Sequence, residues 1–517
     1  MLRLRARLPF PGRSPGRSES GGSGGAAPAQ FFASIRALIG ARAVLALLQL
    51  FSLPVLTRLL DVRDFALMAL GMVIPLFANT VSDAGLGRSL VRRQHFDPVE
   101  WSSVFWFLFL VGAALAGMTA AAAPVFAGVM GEPGLAAIVL VLASVPFLLS
   151  LTSAHQAALE RAYRFDQISS VTVAAGIAGV LTAVALALAG AGVWALVAQQ
   201  VVTALLRAAG FAWLSAFQPR FAFDWPLLRP HLHFGKNTLL FSGVMTLQNQ
   251  TPVLAFGPVF GTLAVSLWAM SERAARLART ALAGPVSQVT LVSMSRQWRE
   301  GKGAAEVAAL YLASTRLLAT LLFPSFLVIA LAGEAAFVWI LSEPWRPVAV
   351  VFALAVPGLL IDAVASSGAR VFMVADRTDL RLRMAAERFA IGLLLFLAAL
   401  PFGLEAAILV RSLFAIAYLP RYWAYLGRCV PLDRLACARQ LILPAAAGIA
   451  AGLGFRIWAA PQIPGLAWEA LAVLAAAAAA PVLAAALSWR PLRADIARLR
   501  ASANETASAA PAASPAP

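Results

Sequence analysis

Four charged residues recur at helical spacing inside one apolar segment, namely Glu272, Arg273, Arg276 and Arg279. A charged side chain at the centre of a membrane helix costs about 2.5–3.5 kcal/mol, so its presence there predicts a function. Glu272 and Arg276 are four residues apart and can pair on one helix face, which leaves the stripe with a net positive charge. Arginine donates through a planar fork that matches phosphate oxygens, so this stripe predicts anion binding.

The depth of the stripe depends on where its segment begins. A start near Gly261 places Glu272 about ten residues in, or about 15 Å at about 1.5 Å per residue, which is the middle of a bilayer about 30 Å thick. The alternative is that the segment ends at Ser271 and that the arginines face the cytoplasm. Because about ten residues cannot cross a bilayer, that alternative requires the turn at Gly257-Pro258 to be misplaced.

Polar side chains in other apolar segments are further candidates for a binding site. The preceding segment carries Gln248, Asn249 and Gln250 at a similar depth. Amides in hydrocarbon seek partners, which would be either the hydroxyl groups of a ligand or polar groups of neighbouring helices. Arg411 lies about 10 Å from the predicted outer face at about 1.5 Å per residue, so it either lines a cavity or extends to the interface.

Two carboxylates, Asp362 and Glu272, are the candidates for binding a coupling ion. Asp362 would either relay a proton or sodium ion, or serve only as the partner of a nearby arginine. Metal chemistry is not indicated, because the two cysteines and four histidines show no ligand spacing. We therefore predict no metal site, no catalytic residue and no cofactor.

The segments that hold these residues belong to a chain that crosses a membrane many times. The chain has 517 residues, of which 61% are hydrophobic and 13% charged, and its mean hydropathy is +0.80. Repeated long apolar runs in such a chain predict an all-α polytopic membrane protein. We predict about fourteen spans of about 20 residues each. They start near Ile35, Asp64, Trp101, Gly134, Ser169, Gly192, Asn237, Gly261, Leu312, Val348, Met384, Leu404, Gln440 and Gly465.

The basic residues alternate between the loops. Loops after even-numbered spans carry most of them, such as Arg88, Arg92, Arg93 and Arg381, and loops after odd-numbered spans carry few. The positive-inside rule then places both termini in the cytoplasm, and it accounts for the net charge of +17 without nucleic-acid binding. No loop is large enough for a nucleotide-binding domain, and no GxxxxGKS/T phosphate loop is present. ATP hydrolysis within this chain is therefore excluded.

A weak internal repeat aligns Asp64–Ala69 with Ala264–Ala269, and both stretches begin a span after a tight turn. Repeated halves around a central cavity are a common plan for transporters. We predict a disordered basic tail, two six-helix bundles, two additional spans and a cytoplasmic tail. These five regions are residues 1–30, 31–220, 221–430, 431–489 and 490–517.

Several stretches resemble one family of membrane proteins. They are TRLLDVRDFALMAL after the first span, SDAGLGRSLVRR after the second, GAGVWALVAQQ in the sixth and Phe234-Gly235 at the start of the seventh. The likeness covers roughly residues 35–430. It is to the bacterial polysaccharide flippases of the multidrug/oligosaccharidyl-lipid/polysaccharide exporter superfamily.

The resemblance implies two six-helix bundles around a cavity that opens to one side of the membrane at a time. The cargo would be an undecaprenyl-pyrophosphate-linked oligosaccharide, moved from the cytoplasmic to the periplasmic leaflet of the bacterial inner membrane. Membrane lipids would surround a monomer, and a polysaccharide polymerase and glycosyltransferases would be its partners. The alternatives are a peptidoglycan-precursor flippase, a drug exporter, and a membrane-embedded polymerase or ligase, the last of which the short outer loops disfavour.

Overall fold

The computed structural model describes residues 26–82, 90, 96–299 and 303–508. Arg88, Arg92, Arg93 and the basic tail before residue 26 lie outside these residues. Every regular element within the described part of the chain is helical. The helices are α1 Ala26–Leu59, α2 Val62–Gly71, α3 Val73–Ser82, α4 Pro98–Met130, α5 Leu135–Leu142, α6 Ser144–Arg161, α7 Phe165–Leu188, α8 Val193–Leu214, α9 Trp225–Arg299, α10 Ala304–Ala332, α11 Glu334–Leu341, α12 Val348–Val374, α13 Thr378–Ala399, α14 Leu404–Ala417, α15 Leu419–Leu426, α16 Arg434–Gly454, α17 Leu466–Leu487 and α18 Trp489–Ser508.

The described helices form a multi-pass membrane protein. Eleven segments are long and apolar enough to cross a membrane. One of them, Leu239–Arg276, contains Gly261, whose φ of 78° and ψ of −176° break α9 into two crossings. The shorter apolar helix Val44–Leu59 and the nearly continuous pair α14 and α15 supply two more. This arrangement confirms the predicted all-α polytopic class and is consistent with the predicted number of spans.

Helices on either side of α9 pack mainly with their own neighbours. In the N-terminal part, α1 packs on α7, α7 on α8, and α6 on both α4 and α8. In the C-terminal part, α10 packs on α12, α16 and α17, and α12 packs on α14. Helix α9 contacts α2 and α3 on one side and α12 on the other. The two predicted bundles and the boundary between them near residue 220 stay predictions.

The contact between α10 and α16 is close enough to require a glycine. A Cβ atom added at Gly448 would lie 2.8 Å from the Cα of Pro324, which is shorter than side-chain contacts allow. Backbones of membrane helices approach this closely where small residues face each other, because van der Waals packing is a main source of their association. Gly448 thereby fixes the additional helix α16 against α10.

The last described helix, α18, is docked on the bundle. Leu492 and Leu499 are buried, and the Asp495 carboxylate pairs with the Arg316 guanidinium of α10 at 2.7 Å. Only 8% of the Asp495 side chain is exposed, so this pair holds the helix to the bundle at a largely dry contact. The region predicted to be a tail from residue 490 therefore contains an ordered helix as far as Ser508.

Candidate functional site

A cavity of about 860 Å³ lies between α2 and α3 on one side and α9, α12, α13 and α15 on the other. Its α2–α3 wall is uncharged and includes Ala69, Met72, Leu76 and Thr80. The opposite wall carries the charged groups. The two walls meet where the Oγ1 atoms of Thr80 and Thr246 are 2.8 Å apart. The cavity is thus bordered by α2 and α3 on one side and by α9, α12, α13 and α15 on the other, with a contact between α3 and α9 at this point.

The opposite wall is strongly positive. It presents two carboxylates, Glu272 and Asp362, and five arginines. The arginines are Arg276, Arg279, Arg370, Arg381 and Arg388. Fixed charges in a low-dielectric cavity act strongly on a ligand, so this excess of guanidinium groups favours an anion.

The charged stripe predicted on α9 forms one local network. The Glu272 carboxylate lies 3.5 Å from the Arg279 guanidinium and 3.9 Å from that of Arg276. Arg273 is half-buried and is not among the residues that line the cavity. The helix continues to Arg299 and does not end at Ser271. Glu272 lies eleven residues beyond the break at Gly261, or about 16 Å at about 1.5 Å per residue.

The three amides of the segment before Gly261 all line the cavity. Gln248, Asn249 and Gln250 lie on the wall that also holds Glu272. The side-chain oxygen of Gln248 is buried and has no hydrogen-bond partner among the described residues. Because this oxygen is covered, it can accept from a ligand hydroxyl only after the side chain turns toward the cavity.

Asp362 pairs with Arg388 of the next helix. The Arg388 Nη2 donates to the Asp362 Oδ1 at 2.5 Å, and 17% and 28% of the two side chains are exposed. This contact matches one of the two alternatives predicted for Asp362, the partner of an arginine. Arg388 is not predicted from the sequence to be a binding residue, because its partner lies on another helix and no spacing along the chain connects the two.

Arg411 lies in a narrow recess beside the cavity, which Gln248, Trp268, Asp362 and Arg388 also line. Its guanidinium donates to the backbone oxygen of Gln248 at 3.4 Å and sits 5.6 Å from the centre of the Trp268 ring. These contacts anchor Arg411 toward α9. Two positions were open for Arg411, in a cavity wall or at the membrane interface. The structure places it in the wall of the recess.

Two further arginines of the cavity, Arg370 and Arg381, are not predicted from the sequence to be binding residues. Arg370 follows Asp362 and Ser366 at steps of four residues, a period that could have placed all three on one helix face. Arg381 had been counted among the basic loop residues that set orientation. It lies instead within α13, where its guanidinium is 3.6 Å from the centre of the Phe241 ring.

The opposite end of the helix bundle is closed by contacts between its N-terminal and C-terminal parts. Arg58, at the end of α1, donates to the backbone oxygens of Trp339 at 2.6 Å and Ile340 at 3.1 Å, in the last turn of α11. The rings of Phe65 and Trp345 meet edge to face, with centroids 5.2 Å apart. Trp345 just precedes α12, whereas the cavity borders the far half of that helix, so closure and cavity lie at opposite ends.

No group of three or more His, Cys, Asp or Glu side chains within the described ranges is arranged to hold a metal ion. The two carboxylates of the cavity each face arginine instead. The site is therefore equipped for binding through charge and hydrogen bonds.

A protein family described as polysaccharide biosynthesis proteins matches residues 55–350. The chain belongs to this family. The resemblance drawn from the turn after the first span and the other stretches is thereby confirmed. Among the proteins of the polysaccharide biosynthesis family to which it is similar, the succinoglycan biosynthesis transport protein ExoT of Rhizobium meliloti is 26% identical over 303 residues.

Two other relatives are more distant. The lipopolysaccharide biosynthesis protein WzxC of Escherichia coli is 23% identical over 194 residues, and the teichuronic acid biosynthesis protein TuaB of Bacillus subtilis is 22% identical over 310 residues. The aligned regions are 58%, 36% and 59% of this chain and 60%, 39% and 63% of ExoT, WzxC and TuaB. The chain thus spans less than two thirds of the length of each relative.

Solved structures with the same fold are transport proteins. The lipid II flippase MurJ, in an inward closed conformation, superimposes with a TM-score of 0.67 over 89% of this chain and 99% of MurJ. An inward-facing multidrug resistance transporter of the MATE family and the MOP superfamily superimposes with a TM-score of 0.59, over 75% of this chain and 95% of that transporter. Both are 13% identical in sequence, so the likeness establishes the fold alone.

Proposed function

We propose that this member of the polysaccharide biosynthesis family is a flippase. Its cargo is an undecaprenyl-pyrophosphate-linked oligosaccharide, which it carries from the cytoplasmic to the periplasmic leaflet of the bacterial inner membrane. The observation that carries this proposal is the arginine-rich wall of a cavity inside a bundle of apolar helices. An isoprenoid pyrophosphate joins an anion to a lipid tail, so it suits a cationic cavity with a bilayer around it.

The contents of the cavity suit the two parts of the head group. Guanidinium groups bind pyrophosphate oxygens bidentately, with charge-assisted hydrogen bonds that are about twice as strong as neutral ones. The amides Gln248, Asn249 and Gln250 serve sugar hydroxyls. A volume of about 860 Å³ lies toward the upper end of small-molecule sites, at about 300–1,000 Å³, and leaves room for a few sugar units. The undecaprenyl tail stays in lipid.

Movement follows from alternating access. The contacts of Arg58 with α11 and of Phe65 with Trp345 hold one end closed while the cavity occupies the other. With both termini in the cytoplasm, as the loop charges predict, the closed end is periplasmic and the cavity takes cargo from the cytoplasmic side. Opening of the closed end and closure around the cavity then complete the transfer.

A drug exporter for organic cations is disfavoured by the same wall. Such cargo needs acidic groups in the cavity, and here five arginines stand against two carboxylates that already pair with them. A peptidoglycan-precursor flippase would need a similar anion site. The three relatives are named for succinoglycan, lipopolysaccharide and teichuronic acid, which favours a polysaccharide precursor.

The test is leaflet translocation by purified protein in proteoliposomes. A fluorescent lipid-linked oligosaccharide, with lipid II as the competing substrate, is followed by its accessibility to an impermeant quencher, and its mass is measured afterwards. The proposal expects faster translocation of the oligosaccharide than of lipid II, with unchanged mass. A changed mass would identify a polymerase or ligase, and faster movement of lipid II would identify a peptidoglycan-precursor flippase.

A further inference from the structure

The arginines of the cavity differ in how their N–H groups are used. Arg276 and Arg279 face Glu272, and Arg388 donates to Asp362. The Nη1 of Arg370 and the Nε of Arg381 are also buried, but neither has a hydrogen-bond partner within the part of the chain that the structure describes. Buried donors are nearly always satisfied in folded proteins, so two unsatisfied guanidinium donors on one cavity wall require an explanation.

Arg381 is held in a position that leaves its donors available. Its guanidinium lies face-on to Phe241, with 3.6 Å between its central carbon and the ring centre. Such a contact uses the face of the guanidinium and leaves its N–H groups, which point outward in its plane, free to bind a ligand. The aromatic ring thus orients the cation without occupying its hydrogen-bonding edge.

Arg370 and Arg381 share their cavity wall with one fixed side chain, Tyr422. Tyr422 lines the same cavity as both of these arginines and Arg388. Its hydroxyl donates to the backbone oxygen of Ala365 at 2.5 Å, so its own proton is already used. Arg370 and Arg381 are the two arginines of this wall that face no carboxylate among the described residues.

The two free arginines and the Asp362–Arg388 pair lie at different depths. Arg370 is four residues before the end of α12 and Arg381 is three residues after the start of α13, so both lie about 5–6 Å from the turn that joins these helices. Asp362 and Arg388 lie twelve and ten residues from the same ends, or about 15–18 Å. The free pair is therefore near the mouth of the cavity, and the Asp362–Arg388 pair is deeper.

We infer that Arg370 and Arg381 form a capture site for the phosphate or pyrophosphate ester of a membrane lipid, at the mouth of the cavity. This inference deepens the proposed function and rests on it. At this depth the anionic group of a lipid stays near the level of the head groups while the attached glycan extends toward Gln248 and the Asp362–Arg388 pair. Arg276 and Arg279, the arginines of the α9 stripe that line the cavity, are not the primary anion site.

The same phosphate chemistry is offered by a lipid-linked glycan and by an ordinary anionic phospholipid. We would measure the binding of farnesyl pyrophosphate to the full-length protein by calorimetry, with farnesol and phosphatidylglycerol in parallel. The inference expects farnesyl pyrophosphate to bind and farnesol not to bind. Equal affinity for phosphatidylglycerol would assign the site to phospholipid, and binding of farnesol as tight as that of the pyrophosphate would overturn it.

Variants locate the site. Arg370→Gln and Arg381→Gln should each weaken farnesyl pyrophosphate binding by about tenfold or more, since each removes charge-assisted hydrogen bonds. Arg279→Gln, whose guanidinium already faces Glu272, should weaken it by less, and Arg493→Gln, exposed on α18, should not change it. A loss for Arg279→Gln that equals or exceeds the loss for Arg370→Gln would contradict the assignment.

Lysine variants keep the experiment decisive if the glutamine variants fold poorly. Arg370→Lys and Arg381→Lys keep the charge but lose the planar fork, so binding should fall between the parent and the glutamine variants. Unchanged binding would overturn the inference. Translocation is measured separately. If the Arg370→Gln/Arg381→Gln double variant translocates cargo as fast as the parent, the capture site is wrong and the flippase proposal stands. If the parent binds farnesyl pyrophosphate but does not translocate cargo, the flippase proposal is wrong and the capture site stands.

Discussion

Arg388 donates to Asp362 at 2.5 Å between α12 and α13, inside the positive wall of the cavity. The pair neutralises one of the five arginines at a point where an anionic cargo would pass. Breaking a buried pair by removing one partner leaves an uncompensated charge, and this is more costly than replacing both partners. The first prediction follows from that asymmetry.

Arg388→Gln should lower the free energy of unfolding by about 1–3 kcal/mol, because the partly buried Asp362 loses its charge-assisted hydrogen bond. The double variant Asp362→Asn/Arg388→Gln should recover most of that loss. Thermal unfolding in detergent measures both. Arg346→Gln serves as the control, since its partners Glu334 and Glu343 are exposed, and we expect no measurable change there. A double variant as unstable as the single one would show that the pair is not the source of the effect.

The second prediction concerns the closed end. Arg58→Ala removes two hydrogen bonds between α1 and the last turn of α11, at 2.6 and 3.1 Å. Since the proposed alternating access requires these parts to separate, the fraction of molecules open at that end should rise by about tenfold, the free-energy equivalent of one charge-assisted hydrogen bond. Spin labels at Asp61 and Glu343, in a background without Cys429 and Cys437, would report the longer distance.

The matched control for Arg58 is Arg456→Ala. Arg456 also donates to a backbone oxygen, that of Leu331 at 3.3 Å, but both residues lie in the C-terminal part. Its removal should leave the label distances unchanged. The same opening in both variants would mean that the hydrogen bonds of Arg58 do not act as a latch.

The third prediction tests the close contact of α16 with α10. Gly448→Ala places a methyl group 2.8 Å from the Pro324 Cα, and the resulting overpacking should lower the free energy of unfolding by about 1–3 kcal/mol. Gly454→Ala is the control on the same helix, where a Cβ meets nothing within 4 Å. Alanine is the better helix former, so that variant should be neutral or stabilised. Equal unfolding temperatures for the two variants would argue against the close contact.

The fourth prediction concerns the docking of α18. Asp495→Asn breaks the pair with Arg316 and should lower the free energy of local opening of α18 by about 1–3 kcal/mol. Hydrogen exchange of the α18 amides measures this opening. Arg498→Gln removes only the longer contact with Asp495, at 3.9 Å, and should leave exchange nearly unchanged. If Asp495→Asn also left exchange unchanged, packing of Leu492 and Leu499 alone would hold the helix.

Helix starts could be predicted from the sequence where glycine breaks the chain. The predicted starts at Gly134, Gly192 and Gly465 fall within one residue of α5, α8 and α17. At the predicted cytoplasmic ends, α9 begins at Trp225 and not Asn237, and α10 begins at Ala304 and not Leu312. Apolar runs report only the part of a helix in lipid, and charged side chains such as Arg229 do not end a helix that continues into water.

The candidate site was predictable only in part, and for a physical reason. The stripe from Glu272 to Arg279 is local to one helix, so its period indicates a shared face. The pairing of Asp362 with Arg388 depends on how α12 packs on α13, which no spacing along the chain contains. Arg381 was assigned to a loop because loop charge and cavity charge look alike in sequence when both lie close to a membrane surface.

The central claim is that a positive cavity carries an anionic, lipid-linked glycan across the membrane. Its most direct measurement is the translocation rate of a labelled lipid-linked oligosaccharide in proteoliposomes, for the parent and for Arg276→Gln/Arg279→Gln/Arg388→Gln/Asp362→Asn, which lowers the positive charge of the wall. We expect translocation by the parent without change in cargo mass, and a rate at least about tenfold lower for the variant. An inactive parent, or equal rates in both proteins, would contradict it.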